Sequence, residues 1–387
     1  MRRPIGEEAR EDLLARGYSR RQLAGIAAVF GVGAVAAASG RPSWAAVEYP
    51  APTPGAKVRI DKNECWTGPM QIGQTAAIAM VAQGNRYFPS NARNDLLNAV
   101  SAVEHIPPDY VSPWPGSSDA LCRAVVTFCS PKRSLVTADP VFELAGATAE
   151  WLGAPVKRVP LTPDYRHDVK AMLAADPHAG AYYICSPNNP TGTLTPLADI
   201  KWLVDNKPDG AFVIVDEAYI HFADMPSASA LVTQGKDVVV LRTFSKVFGM
   251  AGLRMGYVMA CPGVIQKFQR YDGGMGSGAL CVTTLACAVA SITAKDEVAA
   301  RVAHLRETRA FTVDHVRKRG LAVVPSEANM IMIDWKTKSA AQMREAFHAQ
   351  GIEIGRVFPA WPTHSRVSIG SMDDMKAFCA TLDQIWV

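Results

Sequence analysis

The 387-residue chain has no C-x-x-C pair: its eight cysteines stand at 65, 122, 129, 185, 261, 281, 287 and 379. That spacing offers neither a zinc site nor a thioredoxin-like pair. Several lie inside apolar runs such as Tyr182-Tyr183-Ile184-Cys185 and read as small buried hydrophobes. A surplus of one charge is also nearly missing. Forty basic against 36 acidic side chains leave a formal net charge of +4, too little to argue for nucleic acid or an anionic membrane as partner. The body carries no internal repeat and no low-complexity segment. Gly274-Met275-Gly276-Ser277-Gly278 lacks the Gly-x-Gly-x-x-Gly spacing and opens no βαβ unit, so it reads as a lid or hinge, not a dinucleotide loop.

What is present begins at the N-terminus. A polar stretch ends in Ser19-Arg20-Arg21-Gln22-Leu23 and is followed by an apolar run rich in Ala and Gly, over 23–38. That run is short for a spanning helix, which needs roughly 20 residues. Gly40-Arg41-Pro42 and Ser43-Trp44-Ala45 follow. Charged region, short apolar region, helix break and small-residue site make an export signal. The paired arginines point to the twin-arginine route of bacteria. Residues 1–45 are therefore expected to lie outside the fold as a signal peptide, cut after Ala45. The mature protein would be periplasmic or otherwise exported, with no stable membrane span. An amphipathic extension or an uncleaved anchor are the alternatives. An exported chain could also oxidise a pair of its cysteines.

Pro50-Ala51-Pro52-Thr53-Pro54-Gly55 reads as a linker. Beyond it, short apolar runs alternate with helical stretches. The runs at 134–138, 181–185, 211–215, 237–241 and 256–260 are nearly continuous in apolar residues, as strands buried on both faces of a mostly parallel sheet should be. Residues 279–319 are helical in pattern and free of proline. Strands are then expected at 321–324, 330–334 and 366–369, around a helix over 340–350. The reading is α/β, with a mostly parallel sheet in a large domain and a smaller α+β domain. The expected division is an N-terminal arm at 46–85 contributing to the small domain, the large domain at 86–278, and the small C-terminal domain at 279–387.

Polar residues close these strands. Val213-Ile214-Val215-Asp216-Glu217-Ala218-Tyr219 delivers an Asp at a strand end, where open α/β sheets bind ligands. Val238-Val239-Val240-Leu241 leads into Arg242-Thr243-Phe244-Ser245-Lys246, and Arg254 follows eight residues later. Ser186-Pro187-Asn188-Asn189-Pro190-Thr191-Gly192 closes a third run. Alone, each is a helix cap, a surface pair or a turn. Their order, each ending a strand, is the signal.

From about 60 to 385 the chain resembles the fold-type I, class I/II aminotransferases, and is most similar to their histidinol-phosphate aminotransferase subgroup. The resemblance implies a pyridoxal 5'-phosphate (PLP) enzyme. Lys246 would hold the cofactor aldehyde as a Schiff base and act as the catalytic base. Asp216 would pair with the ring nitrogen, and Asn189 and Tyr219 with the phenolic oxygen. Arg254, Thr243 and Ser245 would hold the phosphate, together with the helix start at Ser117 and Ser118. Phe142 would stack on the ring. For substrate, Arg366 would bind the α-carboxylate, for which a planar fork suits better than lysine. Arg356 matches the arginine that meets a distal phosphate, and Asn329 and Asn63 match pocket residues. Tyr87 matches the tyrosine that reaches the neighbouring subunit's phosphate, which implies a homodimer with shared sites.

Departures bear on substrate. The family's Asn-Glu-Asn-Pro-x-Gly-Pro reads Asn63-Glu64-Cys65-Trp66-Thr67-Gly68-Pro69 here, placing a bulky Trp66 at the expected pocket mouth. His221 stands where relatives carry Glu, and reads as structural or surface. Histidine biosynthesis is cytoplasmic, so export argues against histidinol phosphate as the donor. The expected reaction moves an amino group from an amino acid or phosphorylated amino alcohol to a 2-oxo acid. Decarboxylation, oxidative deamination and non-catalytic PLP binding stay open from the residues alone.

Overall fold

A computed structural model describes residues 7–29 and 57–386; the site after Ala45 and the linker at 50–55 lie outside these. Thirteen strands are found among the described residues: β1 (Val58–Ile60), β2 (Val111–Trp114), β3 (Leu135–Asp139), β4 (Val156–Pro160), β5 (Ala181–Cys185), β6 (Phe212–Asp216), β7 (Val238–Thr243), β8 (Gly256–Met259), β9 (Ala322–Val323), β10 (Met330–Asp334), β11 (Ile352–Ile354), β12 (Val357–Phe358) and β13 (Trp361–Ser368).

Seven of them form the central sheet, in the order β2-β8-β7-β6-β5-β3-β4. β8 runs antiparallel to both its neighbours, and the remaining ladders are parallel. Every residue of β5, β7 and β8 is buried. The Val- and Ile-rich run pattern has its cause here, because helices cover both faces of a parallel sheet. Asp216, Thr243 and the residues following Cys185 emerge together at the carboxyl ends of adjacent parallel strands. That is where such sheets place their ligands.

The long helix Lys295–Lys318 leads into a four-stranded antiparallel sheet of order β12-β13-β10-β9. β1 crosses to pair in parallel with β11, Val58 opposite Ile352 and Ile60 opposite Ile354. The chain next to the N-terminal motif is thereby tied to the C-terminal part. The continuous helical stretch expected over 279–319 is two helices, Val282–Ile292 and Lys295–Lys318.

Two expectations differ from the structure. Part of the segment expected outside the fold is docked on it: helices Glu7–Ala15 and Arg20–Val29 lie against the large domain, with Leu13, Tyr18 and Ile26 buried. Arg16 donates to the carbonyls of Val126 (2.8 Å) and Cys129 (2.6 Å), and the Tyr18 hydroxyl donates to Cys129 (2.7 Å). Those carbonyls end the helix Ser117–Phe128 and have no partner inside it. The Gly274–Gly278 stretch is a packed helical turn, Met275–Gly278, whose Gly274 and Gly276 amides donate to Asp272 (both 3.0 Å). Asp272 is itself paired with buried Arg123 at 2.6 Å. Asp272 thereby fixes the start of this turn, while Met275 stays 62% exposed.

Candidate active site

Lys246 follows β7 by three residues, and its Nζ donates to the backbone carbonyl of Asn63 at 3.1 Å and lies 5.4 Å from the centre of the Tyr219 ring. Burial, with the positive charge of Arg366 behind it, pulls the amine down to about 8, against the opposing fields of Glu64 and Asp216. About one-tenth of such an amine is unprotonated at pH 7, far more than of an ordinary lysine.

Asp216 ends β6 and is 4% exposed. Its Oδ2 accepts from the Tyr183 hydroxyl (2.9 Å) and its Oδ1 from the Ala218 amide (3.1 Å). Burial pushes its carboxyl up to about 6; the two hydrogen bonds and Lys246 hold it down, and Glu217 adds to the rise. The carboxyl is still mostly ionised at neutral pH.

Asn189 and Arg366 meet across the cleft. Arg366, on β13, donates from one guanidinium nitrogen to Asn189 Oδ1 (2.8 Å) and from the other to the Asp61 carbonyl (2.6 Å). Its Nε is buried with no hydrogen-bond partner. A buried cation whose fork is held by neutral oxygens, with one donor left over, is suited to a carboxylate.

Asn63 joins these parts. It sits at φ 54°, a left-handed conformation that Asn tolerates better than most residues. Its Nδ2 lies 3.2 Å from the Tyr219 hydroxyl and its Oδ1 accepts from Ser368 (2.8 Å). Asn329 Nδ2 donates to the same Asn63 carbonyl that Lys246 uses (3.1 Å), leaving Asn329 Oδ1 buried without a partner.

An anion cradle lies at the neighbouring strand end. The helix Ser117–Phe128 starts after Gly116, at φ 85° with no side-chain cap, so its first amides are free to bind an anion. Arg254 (φ 56°) crosses directly over Gly116, where an added Cβ would collide with its guanidinium. Its guanidinium donates to the Ala251 carbonyl at 2.9 Å and is exposed. Thr243 and Ser245 share a hydroxyl–hydroxyl bond of 2.9 Å beside it. Free amides, an exposed guanidinium and two hydroxyls fit a phosphate, and the Asp216 carboxyl fits a ring nitrogen. The donor set therefore suits PLP.

Three expected residues lie outside this hydrogen-bonded network. Arg356 forms a solvent-exposed ion pair with Glu143 (2.5 Å) and lies 4.2 Å from the centre of the Phe358 ring. Phe142, next to Glu143, is partly buried against the core, near Pro140, whose carbonyl accepts from Asn188 at 3.2 Å. Tyr87 is 85% exposed, its ring centre 6.5 Å from that of Phe88. Trp66 is half-exposed and lines a cavity shared with Asn329. Its ring lies 5.5 Å from that of His304, beside a cavity of about 360 Å³ also lined by Phe222, Val247, Arg301 and Asn329. Arg301 ties this loop to Gly68 (2.8 Å) and Val247 (3.1 Å).

Sequence reasoning missed Tyr183, Asp61 and Ser368. Tyr183 was hidden in an apolar run, although a phenol two places before a strand end, on the same face as a closing Asp, must find a partner when buried.

The family described as Aminotransferase class I and II matches residues 68–382. A histidinol-phosphate aminotransferase of Symbiobacterium thermophilum is 32% identical over 328 residues, 84% of this chain and 89% of that protein. An aromatic amino acid aminotransferase of Mycobacteroides abscessus is 32% identical over 346 residues, 86% of this chain and 95% of that one. Among solved structures, the Sinorhizobium meliloti histidinol-phosphate aminotransferase in complex with PLP shares the fold, with a TM-score of 0.77 at 24% identity, over 86% of this chain and 91% of that one.

Proposed function

The chain belongs to the aminotransferases of class I and II, a PLP-dependent family of transaminases, and from that premise we propose how its own residues divide the work and which donor they take. Bound PLP supplies an aldehyde for the incoming amine and a protonated ring that accepts electrons. Lys246 would carry the cofactor and, once released, take the proton from the donor Cα with Nζ and return it to the cofactor side. Asp216 would hold a proton on the ring nitrogen. Asn189 and Tyr219 would orient the phenolic oxygen, and Arg254, Thr243, Ser245 and the amides at Ser117 and Ser118 the phosphate. Phe142 would cover the ring. Arg366 would seat the α-carboxylate, with Asn329 and Asn63 closing the pocket.

For the donor we propose an aromatic amino acid, not a phosphorylated amino alcohol. The supporting observation is the Arg356–Glu143 pair at 2.5 Å, a solvent-exposed contact that turns the guanidinium to a carboxylate with which a second phosphate would have to compete. A histidinol-phosphate aminotransferase and an aromatic amino acid aminotransferase are equally similar at 32%, so identity does not choose between them. The test is a donor screen on purified protein with a 2-oxo acid acceptor. Phenylalanine or tyrosine should exceed histidinol phosphate in kcat/KM by at least tenfold, and the reverse order would overturn this choice.

Two further readings accompany it. A homodimer would cover Ile72, Ile78, Val81, Phe88 and Met275, large apolar side chains 52–73% exposed, and bring Tyr87 to the partner's phosphate. Light scattering should give twice the 41.6 kDa chain mass. The N-terminal segment would serve export: Arg20 and Arg21 face outward from a helix that docks through Leu23 and Ile26. Replacing both arginines by lysine should leave the protein in the cytoplasm.

A further inference from the structure

On the face of the sheet opposite the cofactor groups runs a row of buried charges. Asp216 and Glu217 are consecutive at the end of β6, so their side chains leave on opposite faces. The Glu217 amide donates to Leu241 (2.9 Å), which extends the β6–β7 ladder by one step and sets Glu217 beside Arg242. Arg242 in turn stands opposite Tyr257 on β8. Arg242 Nε donates to Glu217 at 2.8 Å, and its terminal nitrogen to Glu104 at 3.2 Å. Tyr257 donates to the other Glu104 oxygen at 2.7 Å. Ser227 (2.8 Å) and the Ala228 amide (2.7 Å) complete Glu217. His221 sits against Arg242 at 3.4 Å and packs edge-on to Phe248.

Every charged side chain in the row is buried: Glu217 0%, Arg242 5% and Glu104 7% exposed. Two carboxylates against one guanidinium leave the row with a net charge of −1, one residue from the carboxylate of Asp216. His221 adds no compensation, since burial and then Arg242 pull its imidazole down to about 3 and it stays neutral.

We propose that Arg242 is a positioning residue for cofactor binding: by neutralising Glu217 on the back of the sheet, it allows Asp216 on the front to stay ionised and aimed at the cofactor. This rests on the reading that Asp216 holds the ring nitrogen. The groups facing Asp216 are Tyr183 and Cys185 of β5, Tyr219, Lys246 and Glu217. Of these, Glu217 is the one whose charge adds to that of Asp216, and Arg242 is the group that balances it. An unpaired carboxylate on the adjacent residue, in a partly polar interior, is worth about one to two units of pKa.

The test is PLP affinity of the cofactor-free protein, titrated from pH 5 to 9. Affinity should fall as acid protonates Asp216. In Arg242→Gln the midpoint should move up by about 1–2 pH units, and in Glu217→Gln down by about half a unit or more. In the double variant it should return to within about half a unit of wild type. Opposite shifts from two partners of one ion pair are what charge produces and what loosened packing does not. Arg242→Lys, which keeps the charge without the fork, should keep the wild-type midpoint even if it melts earlier. If Arg242→Gln does not fold, the downward shift in Glu217→Gln and the wild-type midpoint of Arg242→Lys still decide. Equal midpoints in all folded variants would overturn the inference. Asp216→Asn separates the two claims: unchanged affinity there overturns the reading of Asp216 itself.

Discussion

Lys246 and Asn63, 183 positions apart in sequence, are joined by one hydrogen bond of 3.1 Å from the lysine amine to the asparagine carbonyl. The bond links the end of β7 to the segment that β1 ties to β11. The Lys246 amine is therefore held by the part of the chain that pairs with the C-terminal sheet. Asn63→Gly keeps the left-handed backbone and loses the side-chain bonds to Tyr219 and Ser368; Asn63→Ala loses both. Glycine should cost about tenfold in kcat and alanine more, with about 1–3 kcal/mol of stability for the buried groups left unpaired. Steady-state kinetics and urea denaturation of the two variants check the order.

The Lys246 amine gives a pH dependence whose sign is fixed. Its pKa is lowered to about 8, so the free amine dominates above that value and is lost as pH falls. The rate at which the cofactor-free protein takes up PLP covalently should rise with pH and level off above about 8. Arg366 is the charged neighbour that most depresses this amine, so Arg366→Met should move the plateau to higher pH. A downward movement would contradict the assignment.

The strands at the centre of the sheet are legible in sequence because both faces are buried and the run is uniformly apolar, as in Val238-Val239-Val240-Leu241. The two edge strands are not. Val111-Ser112-Pro113-Trp114 contains a proline, which an edge tolerates, and Val156-Lys157-Arg158-Val159-Pro160 carries charges that blunt an edge. The front of the site is legible for a similar reason, since Asp216, Asn189 and Lys246 each close a strand. The back is not, because Glu104 and Arg242 are 138 positions apart and only the folded sheet makes them partners.

Arg366 holds Asn189 and the Asp61 carbonyl with two different nitrogens, which a lysine cannot reproduce. Arg366→Lys should lower kcat/KM about 100-fold for amino and oxo acids alike, chiefly through KM. Arg356→Ala, which removes a solvent-exposed pair with Glu143, should change kcat/KM for an aromatic donor by less than about threefold. A large loss at Arg356 with amino acid donors would reassign it to the pocket.

His167 is buried beneath the Asn188 loop, and burial pulls its imidazole down to about 4, against the hydrogen bonds to Asn188 and the Cys185 amide. The unfolded chain binds that proton near 6.5. The stabilising share of neutral His167 is full above about 6.5 and is lost as pH falls towards 4, by about 3 kcal/mol in all. The folded protein should lose thermal stability steeply across that window. His167→Gln, though less stable at neutral pH, should flatten the slope, which calorimetry at several pH values would show.

The docked N-terminal helices give a stability prediction that does not depend on where the protein works. Leu13, Tyr18, Leu23 and Ile26 are buried against the large domain, and Gln22 donates to the Leu152 carbonyl at 2.7 Å. Burying several such side chains, less the entropy of ordering two short helices, is worth about 2–4 kcal/mol. A chain beginning at residue 46 also leaves the carbonyls of Val126 and Cys129 to water. It should unfold roughly 5 °C lower than the full chain, with unchanged kcat, because Asp12, Arg16, Tyr18 and Gln22 bond to Arg270, Val126, Cys129 and Leu152, none of them a site residue. Leu13→Ala should reproduce part of that loss. If the shortened chain instead melts with the full-length protein, the docking contributes nothing to the fold, and the segment is free to act solely as a leader.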